Sequence, residues 1–167
     1  MEKRRLGKTD MEVSVLGFGG AEIGYEGATA ETVETLLNSA LDAGLNVIDT
    51  AECYECSEEL IGKTVNHRRD QFYLFTKCGH PRGVGSEDWS IDSILESIKR
   101  SLRRLQTDCV DLVQLHSCSE SVLKKGDAIT ALQTARDRGY TRFIGYSGDS
   151  RAARFAVESG VFDTLQT

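Results

Sequence analysis

The chain has 167 residues, 40% apolar and 28% charged, the balance of an ordinary globular domain, and sixteen glycines with one proline exclude a collagen-like or Pro-rich disordered chain. Twenty Lys and Arg against 26 Asp and Glu leave a net charge of −6, which argues against a nucleic-acid binder. No apolar run approaches the roughly 18 residues of a membrane span. The charged start has no apolar core behind it, and five cysteines are an odd number for a disulfide framework, so the expectation is a reduced, cytoplasmic domain.

In chain order, residues 4–6 and 11–14 around Gly7–Asp10 read as a small hairpin. Runs rich in Val, Ile, Leu and Phe at 13–18, 45–48, 72–76, 110–115, 141–145 and 162–165 have the length and composition of buried strands. Helical periods lie between them. Val33, Leu36, Leu37, Ala40 and Leu41 share a face before Gly44, and Leu60, Ile61, Thr64 and Val65 follow Ser57. Ile91, Ile94, Leu95, Ile98, Leu102 and Leu105 repeat the spacing, with Ser90 as the predicted N-cap. Ile129, Leu132 and Ala135 precede Gly139, and Ala152, Phe155 and Ala156 precede Gly160.

Six strands separated by helices predict an α/β domain with a parallel sheet of about six βα units. An open doubly wound sheet and the greater part of a (β/α)₈ barrel both fit. A complete barrel takes ~250 residues, so length alone favours the open sheet. No linker or composition shift divides the chain, and 1–167 is expected to be a single domain.

Polar residues collect where these strands end: Asp49 and then Tyr54 after the second, Lys77 after the third, His116 after the fourth, Ser147 after the fifth and Gln166 after the sixth. In parallel α/β folds that rim faces the ligand. Tyrosine is a poor acid at neutral pH, and a neighbouring ammonium from Lys77 is expected to lower the pKa of Tyr54. Asp49 would pair with Lys77, His116 would orient a substrate oxygen, and Tyr54 would protonate that oxygen as hydride reaches the carbon. No side chain supplies hydride, so carbonyl reduction follows if a nicotinamide lies beside these residues. The glycines at 17, 19, 20 and 24 lack the G-x-G-x-x-G spacing and read as room for backbone near a cofactor or substrate.

The stretch G44-L-N-V-I-D-T-A-E-C-Y-E-C-S-E-E-L-I-G62 strongly resembles the aldo-keto reductase family, as do F75-T-K77, D111-L-V-Q-L-H116, I144-G-Y-S147 and F162-D-T-L-Q166, in order through essentially the whole chain. The resemblance implies a partial TIM (β/α)₈ barrel in place of the open sheet. It implies reduction of aldehydes and ketones to alcohols with NADPH or NADH, by a catalytic set of Asp49, Tyr54, Lys77 and His116. It also implies cofactor contacts at Gly20, Asp49, Ser147 and Gln166, with no metal. Glu55 stands where the family often has glycine, and Gly148 where it often has asparagine.

Since the family's last two βα units have no counterpart here, the reading expects a C-terminally truncated domain. Its open barrel edges would be covered by self-association or by a complementing C-terminal fragment. Beyond a small-molecule carbonyl substrate, neither nucleic acid nor membrane is expected as a partner. Two alternatives belong to other classes: a catalytically inactive truncated barrel acting as a binding or interaction module, and a thiol or metal site at Cys53, Cys56, Cys78 and Cys118. His80 reads as a plain loop histidine, Trp89 as part of a substrate loop or a lid, and Arg68, Arg69, Arg103 and Arg104 as solvated helix surface.

Overall fold

The computed structural model describes residues 1–81, 83 and 85–167. A short antiparallel hairpin, β1 (Lys3–Arg5) and β2 (Glu12–Ser14), leads into a six-stranded parallel sheet. Its strands are β3 (Phe18–Gly19), β4 (Val47–Asp49), β5 (Tyr73–Cys78), β6 (Val110–His116), β7 (Thr141–Ser147) and β8 (Thr164–Gln166). They pair strictly in chain order. A doubly wound sheet reverses its strand order at a switch point, whereas an unreversed order keeps every crossover on one face and curls the sheet toward a barrel. The fold is therefore a partial TIM barrel with an added hairpin, and the length-based preference for an open doubly wound sheet is overturned.

The helices are α1 (Ala21–Tyr25), α2 (Ala30–Asp42), α3 (Ser57–Val65), α4 (Ile91–Leu105), α5 (Glu120–Lys125), α6 (Asp127–Asp137) and α7 (Ser150–Ser159), with a 3₁₀ turn over Asn66–Gln71. Thr29, Ser90 and Ser119 accept from the third residue beyond them and start α2, α4 and α5. In α4 the stripe Ile94, Leu95, Ile98, Leu102 and Leu105 is buried as its spacing requires. In α2, Val33, Leu37 and Leu41 are buried, but Leu36, on the edge of the stripe, is exposed.

Alternation along the strands divides the apolar residues into two layers. Ile48, Leu74, Val113, Leu115 and Ile144 point outward and pack with the helices in the main core. Val47, Phe75 and Leu112 point inward and join Met11 in a second cluster, flanked by Leu6, Val13, Tyr73 and Phe143. The hairpin thus fills the N-terminal end of the hollow. Lys8 N–H donates to Asp163 O (2.9 Å), and Arg142 holds Asp10 (2.7 Å), tying that hairpin to the far side of the sheet.

Two expectations are corrected. The run 13–18 is not one strand: Val13 and Ser14 belong to the hairpin, Ser14 Oγ donates to Leu16 O, and the sheet strand starts at Phe18. Composition marks that run as apolar but does not register the turn that moves the chain from one sheet to the other. The stretch before Gly139 holds two helices, α5 and α6, broken where Gly126 adopts φ +87°. Among the described residues no helix is long and apolar enough to cross a membrane.

Asp111, at the N-terminal end of β6, is buried and clamps three segments: its carboxylate accepts from Leu74 N–H (2.9 Å), Arg69 (2.7 Å) and Arg142 (2.8 Å). Arg69 is accordingly not a solvated surface arginine. Replacing Asp111 by Ala leaves these donors without their acceptor and is expected to cost about 2–4 kcal/mol. An unchanged urea midpoint for Asp111→Ala would refute the clamp.

Candidate active site

The strand carboxyl ends place the predicted residues in one row. Asp49, His116, Ser147 and Gln166 are the last residues of β4, β6, β7 and β8, and Lys77 is the penultimate residue of β5. The register sets His116 beside Ser147 and Ser147 beside Gln166. Lys77 Nζ donates to Asp49 Oδ2 at 2.6 Å and to Thr50 O at 3.0 Å. Its side chain is only 3% exposed, a position where an ammonium is tolerated only if paired and hydrogen-bonded. Asp49 Oδ2 also accepts from Gln166 Nε2 (3.1 Å), while Gln166 Oε1 accepts from the buried Gln114 (3.0 Å). Asp49 Oδ1 is buried with no hydrogen-bond partner among the described residues.

Tyr54 rides on the loop between β4 and α3, and the loop is pinned throughout. Glu52 N–H donates to Lys77 O, Ser57 N–H to Tyr54 O, and Tyr25 Oη to Cys53 O. Glu55 sits at φ +44°, the left-handed conformation that favours the glycine the family often has there. Gly24 of α1 lies so close to Tyr54 O that a Cβ would collide with it. At Gly148, the other departure, a Cβ would come within 2.5 Å of Tyr146 Oη, so the buried Tyr146 excludes a larger residue there.

The Tyr54 ring meets Lys77 Nζ 5.2 Å from its centroid and the His116 ring edge-on at 5.7 Å. All four residues predicted to be catalytic are therefore gathered, but the expected effect of Lys77 on the phenol is corrected. Burial first, then the Asp49 carboxylate, push the Tyr54 pKa up to about 12. The ammonium is matched by Asp49 at 2.6 Å and lies against the ring, without a hydrogen bond to the hydroxyl. His116 moves the other way: burial, Lys77 and His80 lower its pKa to about 4, so its imidazole is neutral at physiological pH.

Several contributing residues were not marked by the sequence. His80, read as a plain loop residue, is buried, and its Nε2 donates to His116 O (2.8 Å). Its ring contacts both His116 (5.3 Å) and Trp89 (5.7 Å), which places Trp89 against His80. Glu52 is buried beneath the rim and accepts from Gly79 N–H (2.7 Å), His80 N–H (2.9 Å), Ser97 Oγ and Arg100 (2.7 Å). Arg104 donates to Glu52 O (3.2 Å) and pairs with the buried Glu58, so it too is not solvated surface. The signal for this network is a polar stripe inside α4, Ser97, Arg100, Ser101 and Arg104 at helical spacing.

A hollow of 490 Å³ opens on the inner face of the sheet, lined by Gly19, Val47, Asp49, Phe75, Leu112 and Gln166 among others. Gly20 is buried beside it, with its N–H on Asp49 O (2.8 Å). Ser147 is buried at the rim, its hydroxyl making no hydrogen bond among the described residues. The five cysteines are free. Cys56 turns to Gly24 O and Cys78 to Gln114 O, and burial pushes the thiols of Cys53, Cys78 and Cys118 upward, away from reactive thiolate. Among the described residues no group of three or more His, Cys, Asp or Glu could hold a metal ion, which leaves the thiol and metal alternative without support.

Glu52→Ala removes a fully buried acceptor from Arg100 and from two backbone N–H groups, with an expected loss of about 3–5 kcal/mol. The loop at Gly79–His80 should then exchange its amide hydrogens faster than in the parent. Unaltered stability and exchange would show that Glu52 does not hold that loop.

Residues 15–157 match the family model described as the aldo/keto reductase family. The uncharacterized oxidoreductase YqkF of Bacillus subtilis is 35% identical over 155 residues, covering 88% of this chain and 49% of that protein. L-galactose dehydrogenase of Arabidopsis thaliana is 33% identical over 157 residues, covering 89% and 49%. The aldo-keto reductase AKR11C1 of Bacillus halodurans, solved in a holo form, superposes with a TM-score of 0.86 at 32% identity, covering 100% of this chain and 58% of that one. The chain thus spans about half the length of the curated relatives it matches.

Proposed function

The chain belongs to the aldo-keto reductase family, and from that premise we propose that it forms the catalytic corner of an NAD(P)H-dependent oxidoreductase reducing aldehydes or ketones to alcohols, with Tyr54 as general acid. The observation that carries this reading is the buried Lys77–Asp49 pair set against the Tyr54 ring, with the His116 ring edge-on to it at 5.7 Å. At a pKa of about 12 the Tyr54 phenol holds its proton throughout the neutral range, as a group that donates to a developing alkoxide must. Once the proton leaves, the Lys77 ammonium stabilises the phenolate, and Asp49 keeps that ammonium in place. His116, neutral because its pKa is about 4, offers an N–H to the carbonyl oxygen and orients it.

The nicotinamide, when bound, supplies the hydride. The residues present fit such a group: Asp49 Oδ1 is a buried acceptor with no hydrogen-bond partner among the described residues, suited to a hydroxyl donor, and Asp49 borders the hollow. Gln166 stands beside it, and the unengaged hydroxyl of Ser147 fits a carboxamide. We assign these three residues and the backbone at Gly20 to cofactor contact, with NADPH or NADH as the cofactor and 1–167 acting as one domain. Five unpaired cysteines support a cytoplasmic setting.

We also propose that the outer edges of β3 and β8, each paired on one side only among the described residues, are covered in solution by a second copy or by a complementing piece carrying further βα units. Light scattering on the purified 18.4 kDa chain is expected to give a larger mass if the cover is a second copy. A cooperative monomer at micromolar concentration would overturn self-association.

Tyr54→Phe should lower carbonyl turnover by about 10²- to 10⁴-fold and leave cofactor affinity, measured by fluorescence titration, unchanged. With His116 neutral above a pKa of about 4 and Tyr54 protonated below about 12, reductive kcat/KM of the parent should be flat from about pH 5 to about pH 10. Unchanged turnover in Tyr54→Phe would refute the acid role. Cofactor binding without carbonyl-dependent turnover in the parent would favour the binding-module alternative.

A further inference from the structure

Among the described residues the His116 ring has one side-chain hydrogen-bond partner. Its Nδ1 lies 3.5 Å from Cys53 Sγ, while Nε2 makes no hydrogen bond among the described residues. Sulfur contacts are longer than those between nitrogen and oxygen, and this one is within range for a thiol. The backbone around both residues is fixed independently. His116 O accepts from His80 Nε2, Cys53 O accepts from Tyr25 Oη, and the loop through Cys53 is held by Glu52 N–H on Lys77 O. Cys53 itself is buried, and among the described residues its thiol has no other hydrogen-bond partner.

We propose that Cys53 is a positioning residue: its S–H donates to Nδ1 of His116 and thereby keeps the ring proton on Nε2, the nitrogen left free to meet substrate.

The chemistry of the two groups selects this direction. A neutral imidazole carries one N–H and one bare nitrogen, and the bare nitrogen is a strong acceptor whereas a thiol sulfur is a weak one. If Nδ1 carried the proton, it would face that weak acceptor, and the S–H would have nowhere to go. With the thiol as donor both atoms are satisfied. An ion pair of thiolate and imidazolium is disfavoured from both sides, because burial and Glu52 push the thiol up to about 11 while burial, Lys77 and His80 bring the imidazole down to about 4. The charged and titratable groups facing the ring come from three segments: Cys53 and Tyr54 after β4, Lys77 in β5, and His80 after it. None of them offers Nδ1 a competing hydrogen bond.

The consequence for the proposed reaction is one of sign. A carbonyl oxygen approaching an Nε2–H meets a donor, whereas in the other tautomer it meets a lone pair. The inference rests on the reading of His116 as the group that orients the carbonyl, but its test needs neither cofactor nor turnover. Long-range ¹H–¹⁵N correlation of the His116 ring in the parent chain at neutral pH distinguishes a protonated from a bare nitrogen by a large ¹⁵N shift difference.

The parent should show a protonated Nε2 and a bare Nδ1. Cys53→Ala should populate both tautomers, and Cys53→Ser, which restores a donor, should return the parent pattern. A bare Nε2 in the parent overturns the proposal, as does an unaltered pattern in Cys53→Ala, and the parent spectrum decides even if the alanine variant does not fold. In turnover, Cys53→Ala should lose about fivefold in kcat/KM and Cys53→Ser should recover most of it. Ring shifts that follow the expected order while Tyr54→Phe retains full turnover would uphold the role of Cys53 and reject Tyr54 as the general acid. The reverse pair of results would do the opposite.

Discussion

The ammonium of Lys77 is shut away from water, and the arrangement around it follows from the need to compensate that charge. Asp49 meets it at 2.6 Å and Thr50 O at 3.0 Å; because β5 runs on past Phe75, the register partner of Asp49, the chain after Asp49 must bend alongside β5 to reach the ammonium. That bend carries Tyr54 to the rim. The same carboxylate accepts from Gln166, the last residue of β8, so one anion links β4, β5 and β8 across the curved sheet. A buried pair of this kind adds little net stability, because desolvation cancels most of the attraction. Its contribution is geometric: with one partner missing, the other has no acceptable place in the fold.

The pair also divides the electrostatic work of the site. Because Asp49 neutralises Lys77, burial and the carboxylate dominate at Tyr54, and the phenol keeps its proton. His116, further along the rim and without a carboxylate in hydrogen-bond contact, is governed by burial and by the cationic side of the pair, and stays neutral. Two groups a ring contact apart are thus driven to opposite ends of the titration range, a separation by which environments commonly assign different roles to neighbouring groups.

The chemistry-bearing residues were legible because each stands where an apolar run stops. Asp49, Lys77, His116, Ser147 and Gln166 could be placed at strand ends by composition alone, and each lies in the last two residues of its strand. The closed-versus-open choice was not legible from periodicity, since both architectures use the same alternation of strand and helix; only the ordered likeness to a family decided it. The sign of the shift at Tyr54 was hidden because it depends on which of two opposite charges lies nearer the hydroxyl. Glu52 escaped notice because Ser97 and Arg100 lie 45 and 48 residues away, although their spacing along α4 hinted that a polar partner was required. Arg69 and Arg104 were misread for the same reason: a guanidinium that looks solvated in a one-dimensional chain can be anchored by an acid from a distant strand.

The Glu52 carboxylate has a consequence of another kind. It fastens the Gly79–His80 segment directly, and its own main chain belongs to the loop that presents Tyr54. Two neighbouring segments of the rim therefore share one fastening, and a change accepted in either is felt by the other. Selection or engineering that reshapes one of them will meet epistasis: paired substitutions in the two segments will depart from the sum of their separate effects. Evolutionary routes through this corner will depend on the order in which changes arise.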